Sequence, residues 1–212
     1  MQGAGRFPLD IKTLHAVDKT TYVNDNRHVA MYHPLNSIPQ GKRLATFVPL
    51  LVTTVALSIT LRVIGPSTPN IVEFELAGSI GIASSIIDAW DIATQLRASL
   101  GLGLDYLFMP VYSTTIALAC IWGAGVLSGR KLRALGVLLA WGLWLAAVFD
   151  AVENLALLVM LFGTVAAPYP QMACICATCK FSLIILGLVY IVTAITIRII
   201  ALVRSALRTH GH

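Results

Sequence analysis

Four runs of this chain are apolar for long enough to restrict its fold class before any motif is considered: 44–61, 106–127, 135–167 (interrupted once by acids) and 181–197. A helix needs roughly 20 such residues to cross a hydrocarbon core about 30 Å thick. Of the 212 residues, 57% are apolar and only 12% charged. Soluble domains run at about 45–50% apolar and about 25% charged, so a soluble globular fold is excluded. The expected class is an all-α polytopic membrane protein with four transmembrane helices, at about 44–64, 103–127, 134–163 and 172–204. A polar arm over 1–43 precedes the bundle of 44–205, and a short tail, 206–212, follows it.

The charges are sorted by side. Arg6, Lys12, Lys19, Arg27, Lys42 and Arg43 precede the first span; Arg130, Lys131 and Arg133 sit between spans two and three; Arg198, Arg204 and Arg208 lie near the end. Only Arg62, Arg97 and Lys180 belong to the intervening connections. The positive-inside bias therefore predicts both termini on the cytoplasmic, matrix or stromal side, in a bacterial inner membrane or an organellar inner membrane. The formal charge of +5 is explained by this sorting and gives no reason to expect nucleic acid as a partner. The first apolar run begins only near 44, behind the polar arm, so no secretory signal is expected. The arm carries His15, His28 and His33 at spacings that match no compact metal site, and they read as surface histidines.

Between spans one and two, Ser84, Asp88, Asp91, Gln95 and Ser99 recur at helical spacing, opposite a stripe of Ile82, Ile86, Trp90, Ala93, Leu96 and Leu100. That period predicts one amphipathic helix over about 80–100, lying in the outer interface with Trp90 at headgroup level. Pro110 is expected to kink the outer half of span two.

Within the third apolar run stands FDAVENLALL, with Asp150, Glu153 and Asn154 at spacings that share one helix face. Acids at such depth cost several kcal/mol unless partnered. Depth can be counted from the inner arginines at 1.5 Å per residue. Asp150 lies about 26 Å beyond Arg133, and Lys180 and Tyr112 lie about 27 Å from Arg198 and Arg130. Three polar groups on three helices thus reach one level. Lys180 is the expected counter-charge for Asp150 or Glu153, with Tyr112 and Asn154 as hydrogen-bond partners and Asp105 about two turns farther out. One lysine cannot fully neutralise two acids, so a carboxyl either meets water or holds a proton.

The segments LDYLFMPVYS, FDAVENLALL and CATCKFSLI together resemble those of a loosely defined group of four-span membrane proteins of unassigned function. Its pattern is Asp-x-x-x-x-Pro-x-Tyr, Asp-x-x-Glu-Asn and a last-span lysine, matched here by Asp105, Pro110 and Tyr112, by Asp150, Glu153 and Asn154, and by Lys180. The resemblance spans roughly 100–200. It implies a shared bundle and polar cluster, and brings no activity with it.

Two accounts of the cluster stay open: a polar clasp that fixes helix register, or a site for a lipid, a quinone-like ligand or protons. Cys176 and Cys179 form a Cys-x-x-Cys pair at the start of span four. Redox chemistry there ranks low, because the second cysteine pair that relays electrons in four-span disulfide-forming reductases is absent. No metal site and no catalytic set is expected, and Gly123, Gly125, Gly129 and Gly136 read as close helix packing. The leading expectation is a non-catalytic subunit of a larger membrane complex, respiratory or otherwise energy-transducing, whose partners are other integral membrane subunits and lipids. The alternative is a stand-alone membrane protein that uses Asp150, Glu153 and Lys180 to bind a lipid or quinone-like ligand or to relay protons. A bound lipid is compatible with either; no cofactor is expected.

Overall fold

The computed structural model describes residues 32–209; most of the expected N-terminal arm and the last three residues of the tail lie outside them. Among the described residues every regular element is helical: a 3-10 turn at Pro34–Ser37, then α1 (Gln40–Ile64), α2 (Ile71–Glu75), α3 (Ile80–Ala89), α4 (Ile92–Val126), α5 (Arg130–Phe162) and α6 (Tyr169–Thr209). Four of these, α1, α4, α5 and α6, are long and apolar enough to cross a membrane. The expected spans are present, each somewhat longer than the apolar run that announced it.

α4, α5 and α6 form the body of the bundle, and α1 packs on α4 from outside without burying any residue fully. Two apolar cores hold the body together. One joins α4, α5 and α6 near the α4–α5 turn through Ile121, Leu139, Leu143, Tyr190 and Ala194. The other lies at the opposite end, where Phe74, Ile86, Trp90, Leu102, Leu157 and Met160 bring α2 and α3 onto the three long helices. Along α5 these cores end at Leu143 and resume at Ala156. The polar segment 150–154 falls between them.

The segment expected to be one interfacial helix over 80–100 is two elements. α3 stops at Ala89, Trp90 is extended (φ −91, ψ 129), and α4 starts at Ile92 as the first turn of span two itself. The break has a local cause. Asp91 caps α4, its Oδ1 accepting from the Thr94 N–H at 2.8 Å, which satisfies a donor that a continuous helix would have paired internally. Gln95 Nε2 donates to the carbonyls of Ile87 (3.2 Å) and Trp90 (3.0 Å) and closes the corner. The Trp90 ring is turned into the protein. It is 4% exposed, packs edge-on to Phe74 at 5.4 Å, and donates its indole N–H to the Pro69 carbonyl at 2.8 Å. Of the apolar stripe, Ile86 and Trp90 are buried, while Ile82, Ala93, Leu96 and Leu100 are exposed. Pro110 lies inside the continuous helix α4.

His33 is also not a surface histidine. It is fully buried, with its ring 4.7 Å from that of Trp141 and 4.5 Å from that of Trp144. Its Nδ1 accepts from the Leu35 N–H at 3.2 Å, and burial lowers its pKa below the ordinary histidine value. The chain just before α1 is thereby fastened to α5, where the Trp141 indole also donates to the Tyr32 carbonyl at 3.3 Å.

Two of the four glycines expected at helix contacts are there. A Cβ at Gly123 would stand 3.1 Å from that of Ala194, and one at Gly136 would run into the Tyr190 phenol. Gly125 has only an arginine tip near it, and Gly129 is the residue that starts α5. Tyr190 cannot simply swing away from Gly136, because its hydroxyl donates to the Leu132 carbonyl at 2.9 Å. Gly136→Ala should therefore destabilise the bundle by about 1–3 kcal/mol. Gly41→Ala, where an added Cβ meets nothing within 4 Å, should leave it unchanged. Thermal unfolding of the two variants in the same detergent checks the contrast.

Candidate functional site

The middle layer of the bundle is built from the outside inward by ordinary helix geometry. Asp150, Glu153 and Asn154 occupy one face of α5, all buried. Lys180 comes from α6, and Asp105 and Tyr112 from α4, two turns apart. The Lys180 ammonium donates to Asp150 Oδ1 at 2.7 Å and to Glu153 Oε1 at 2.8 Å. The Tyr112 hydroxyl donates to the other Asp150 oxygen at 2.9 Å. Asn154 Nδ2 donates to Asp105 Oδ2 at 2.7 Å and approaches the Leu102 carbonyl at 3.3 Å. The six residues singled out from the sequence thus fall into two contact groups, Tyr112–Asp150–Lys180–Glu153 across three helices and Asn154–Asp105 between α5 and α4.

A seventh member escaped the sequence reading. Glu75, at the end of the five-residue α2, is 7% exposed, and its Oε2 lies 3.5 Å from the Lys180 nitrogen. That is an ion-pair distance without a hydrogen bond, and the oxygen has no other partner in the protein. α2 is held rigid enough to aim it. Asn70 Oδ1 caps the helix by accepting from the N–H groups of Val72 and Glu73, and Asn70 Nδ2 donates to Glu73 Oε1 at 2.7 Å. Phe74 beside it is fully buried against Trp90. The loop that follows turns at Gly78, whose φ of +64 and closeness to the Cys174 sulfur would make a side chain there strained. A signal was present in the sequence: of the two acids in IVEFELAG, Glu75 is flanked on both sides by large apolar residues, Phe74 and Leu76, and is out of place unless something inside receives it. Proximity to a proline-rich loop hid it.

Burial raises the Glu75 carboxyl above the ordinary glutamate range; the Lys180 ammonium pulls it back, and the nearby Asp150 carboxylate pushes it further up. Glu75 and Glu153 both lie against the Lys180 ammonium, and each keeps one buried oxygen, Oε2, without a hydrogen-bond partner among the described residues. Two neighbouring carboxylates repel; a proton on one of them removes the repulsion.

The cluster is not sealed. A cleft of about 430 Å³ lies between α1, α2, α4 and α6, within the size range of small-molecule sites. Leu61, Ile71, Leu102, Phe108, Phe181 and Ile184 give it apolar walls, and Glu75, Asp105, Tyr112, Asp150 and Lys180 reach its surface. A broader hollow of about 1120 Å³ adjoins it along Ser58, Leu61, Gly65 and Ile71; its charged lining residues are Arg62 and Glu73, and none of the buried cluster lines it. Of the two, the smaller cleft is the one that the buried polar layer reaches.

Cys176 and Cys179 lie one turn apart near the start of α6, Cys176 buried and Cys179 half-buried, both as free thiols. Among the described residues, no three His, Cys, Asp or Glu side chains are arranged to hold a metal ion.

The contacts of Lys180 lead to a graded expectation. Lys180→Met leaves at least two buried acids without their cation and should cost about 3–5 kcal/mol. Adding Asp150→Asn or Glu153→Gln should each restore part of that loss, and both together more than either, because Lys180 serves both acids. Melting temperatures of the single, double and triple variants in one detergent test the pairing. Double variants no more stable than Lys180→Met would refute it.

No protein-family model matches this chain, and comparison with curated proteins and with solved structures returned no significant match.

Proposed function

We propose that this chain is an integral membrane protein that binds an amphiphilic molecule, a lipid or quinone-like compound, in the cleft beside Lys180. The observation that carries this reading is the coincidence of an apolar-walled cleft with the buried polar layer. A polar clasp needs no cavity, yet between the two apolar cores the polar layer borders this cleft. The head of a ligand would meet Glu75, Asp105, Tyr112, Asp150 and Lys180, and its chain would lie along Leu61, Phe108 and Ile184. Intramembrane charges of this kind mark ligand or proton pathways more often than passive structure. Positive-inside sorting would put the termini on the cytoplasmic, matrix or stromal face and the cleft toward the other half of the membrane.

Gly101 offers a direct test, since it lines the cleft and an added Cβ there would meet nothing within 4 Å. Gly101→Trp should fold normally yet fill the space a ligand needs. Gly103→Trp, equally open but outside the cleft, serves as the control. Mass spectrometry of organic extracts from the purified proteins should show an amphiphile retained by the wild type and Gly103→Trp and lost from Gly101→Trp. Equal retention in both variants would sink the proposal.

A second reading, a non-catalytic subunit within a larger membrane complex, is favoured by a different observation. Tyr190 on α6 is level with Leu132 in the first turn of α5, yet α6 continues to Thr209. Its Ile200, Leu202, Val203 and Leu207 are 45–69% exposed and lie about 15–26 Å past that level. If Arg130 and Arg133 mark the membrane surface, this apolar stretch stands beyond it and calls for a partner to cover it. A chain truncated after Ile199 should then run on native gels as a small species, while the full chain runs with co-purifying subunits. Migration of the full chain as a monomer would refute this reading and leave the cleft proposal intact.

A further inference from the structure

The charges around the cleft do not balance. Four carboxyl groups, Glu75, Asp105, Asp150 and Glu153, converge on a single ammonium, Lys180. Two carboxylates are already committed to it: Asp150 and Glu153 hold Lys180 at 2.7 and 2.8 Å. Asp105 receives one hydrogen bond from Asn154. Glu75 lines the cleft 3.5 Å from the nitrogen, nine-tenths buried, and its Oε2, itself buried, has no hydrogen-bond partner among the described residues. A buried acid in low dielectric without a hydrogen-bond donor is costly, and what it lacks is a donor carrying positive charge. The cleft provides the room for one.

We infer that the cleft selects amphiphiles with a cationic, ammonium-type headgroup, and that Glu75 is the residue that receives it. The inference rests on the reading of the cleft as an amphiphile site and specifies its ligand. An ammonium group placed between Glu75 and Asp105 has three N–H donors for the free carboxylate oxygens. The apolar chain leaves the headgroup along the walls already described. An anionic head would face the same surplus of carboxyl groups and be repelled; a neutral head would leave it uncompensated. A bare metal ion fits less well, because among the described residues no three His, Cys, Asp or Glu side chains are arranged to hold one, and the point where three acids meet is already taken by the Lys180 ammonium.

The exchange is balanced in charge. In the empty cleft a proton on the Glu75 carboxyl supplies the missing positive charge; when the ammonium group arrives, that proton leaves for solvent and the N–H donors take its place. Binding should therefore strengthen as pH rises, since a carboxyl that burial holds protonated above the ordinary range must lose its proton first. The groups that face Glu75 are Asp105 and Tyr112 of α4, Asp150 and Glu153 of α5 and Lys180 of α6; Thr54 and Ser58 of α1 are neutral, and Glu73 on α2 itself is exposed.

The test uses the full-length protein in dodecyl maltoside micelles, with protein-free micelles as the blank. Calorimetry compares dodecylammonium, dodecanol, dodecanoate and the short-chain butylammonium. Dodecylammonium should bind about tenfold more tightly than dodecanol, the effect of one charge-assisted hydrogen bond; dodecanoate should bind less well than dodecanol. Its measured heat should vary with buffer ionisation enthalpy in the direction of proton release. Glu75→Gln should abolish the preference for dodecylammonium over dodecanol, and Glu73→Gln should leave that preference unchanged. Equal binding of the three twelve-carbon probes, or a preference that survives Glu75→Gln, overturns the cationic inference while leaving the amphiphile cleft standing. Binding of none of them above the blank overturns both. Butylammonium binding as tightly as dodecylammonium would show a free-amine site, and would overturn the role given to the apolar walls.

Discussion

One ammonium group, that of Lys180, is the point at which the separate parts of this structure become dependent on each other. It bonds two acids of α5 and draws in a third from α2, so three elements converge on an atom that is itself almost fully buried. In a hydrocarbon environment helices gain little from apolar contact with one another, because lipid tails offer the same contact. What distinguishes one arrangement of α4, α5 and α6 from another is then the set of close small-residue approaches and the few polar contacts. Tyr112 extends the Lys180 network to α4 and the separate Asn154–Asp105 bond adds a second polar tie between α5 and α4, which together fix the rotation and the height of all three long helices.

The two apolar cores above and below this layer serve a different purpose. They exclude water from the polar layer and so increase the strength of each contact in it, while also raising the cost of any group left unpaired. The small outer helices matter for the same reason. Without α2 and α3 folded back over the end of the bundle, Asp105 and Lys180 would face the membrane surface. With them, Phe74 and Trp90 close that end and Glu75 is carried inward with the closure.

Much of this architecture could be read in the sequence because it depends on quantities the sequence states directly. Run length gives the spans, and a constant rise per residue gives the depth of Asp150, Tyr112 and Lys180, so their meeting was foreseeable. Glu75 was not, because depth counting works only along a continuous helix. α2 is five residues long and reached through the loop at 65–70, and its height is set by tertiary packing. The same limit explains the segment 80–100. Its polar period is real, but Asp91 spends its carboxylate on capping and Gln95 spends its amide on the corner. A regular spacing of polar groups therefore arose from two local structures in succession and imitated one amphipathic surface. His33 misled for a related reason: an isolated imidazole in a polar segment gives no hint of two tryptophans more than a hundred positions away.

The way α1 is attached has a mechanical consequence. It forms one wall of the cleft through Thr54, Ser58 and Leu61, but none of its residues is fully buried, and its polar tie to the rest of the bundle is the Thr54–Thr115 hydroxyl contact at 2.9 Å. A contact of that type is typically worth about 0.6 kcal/mol in a membrane, comparable to thermal energy. The other walls belong to helices locked by the charged layer. The cleft is thus a rigid half-mould closed by a compliant side, and α1 is the wall that would yield first when the space is filled.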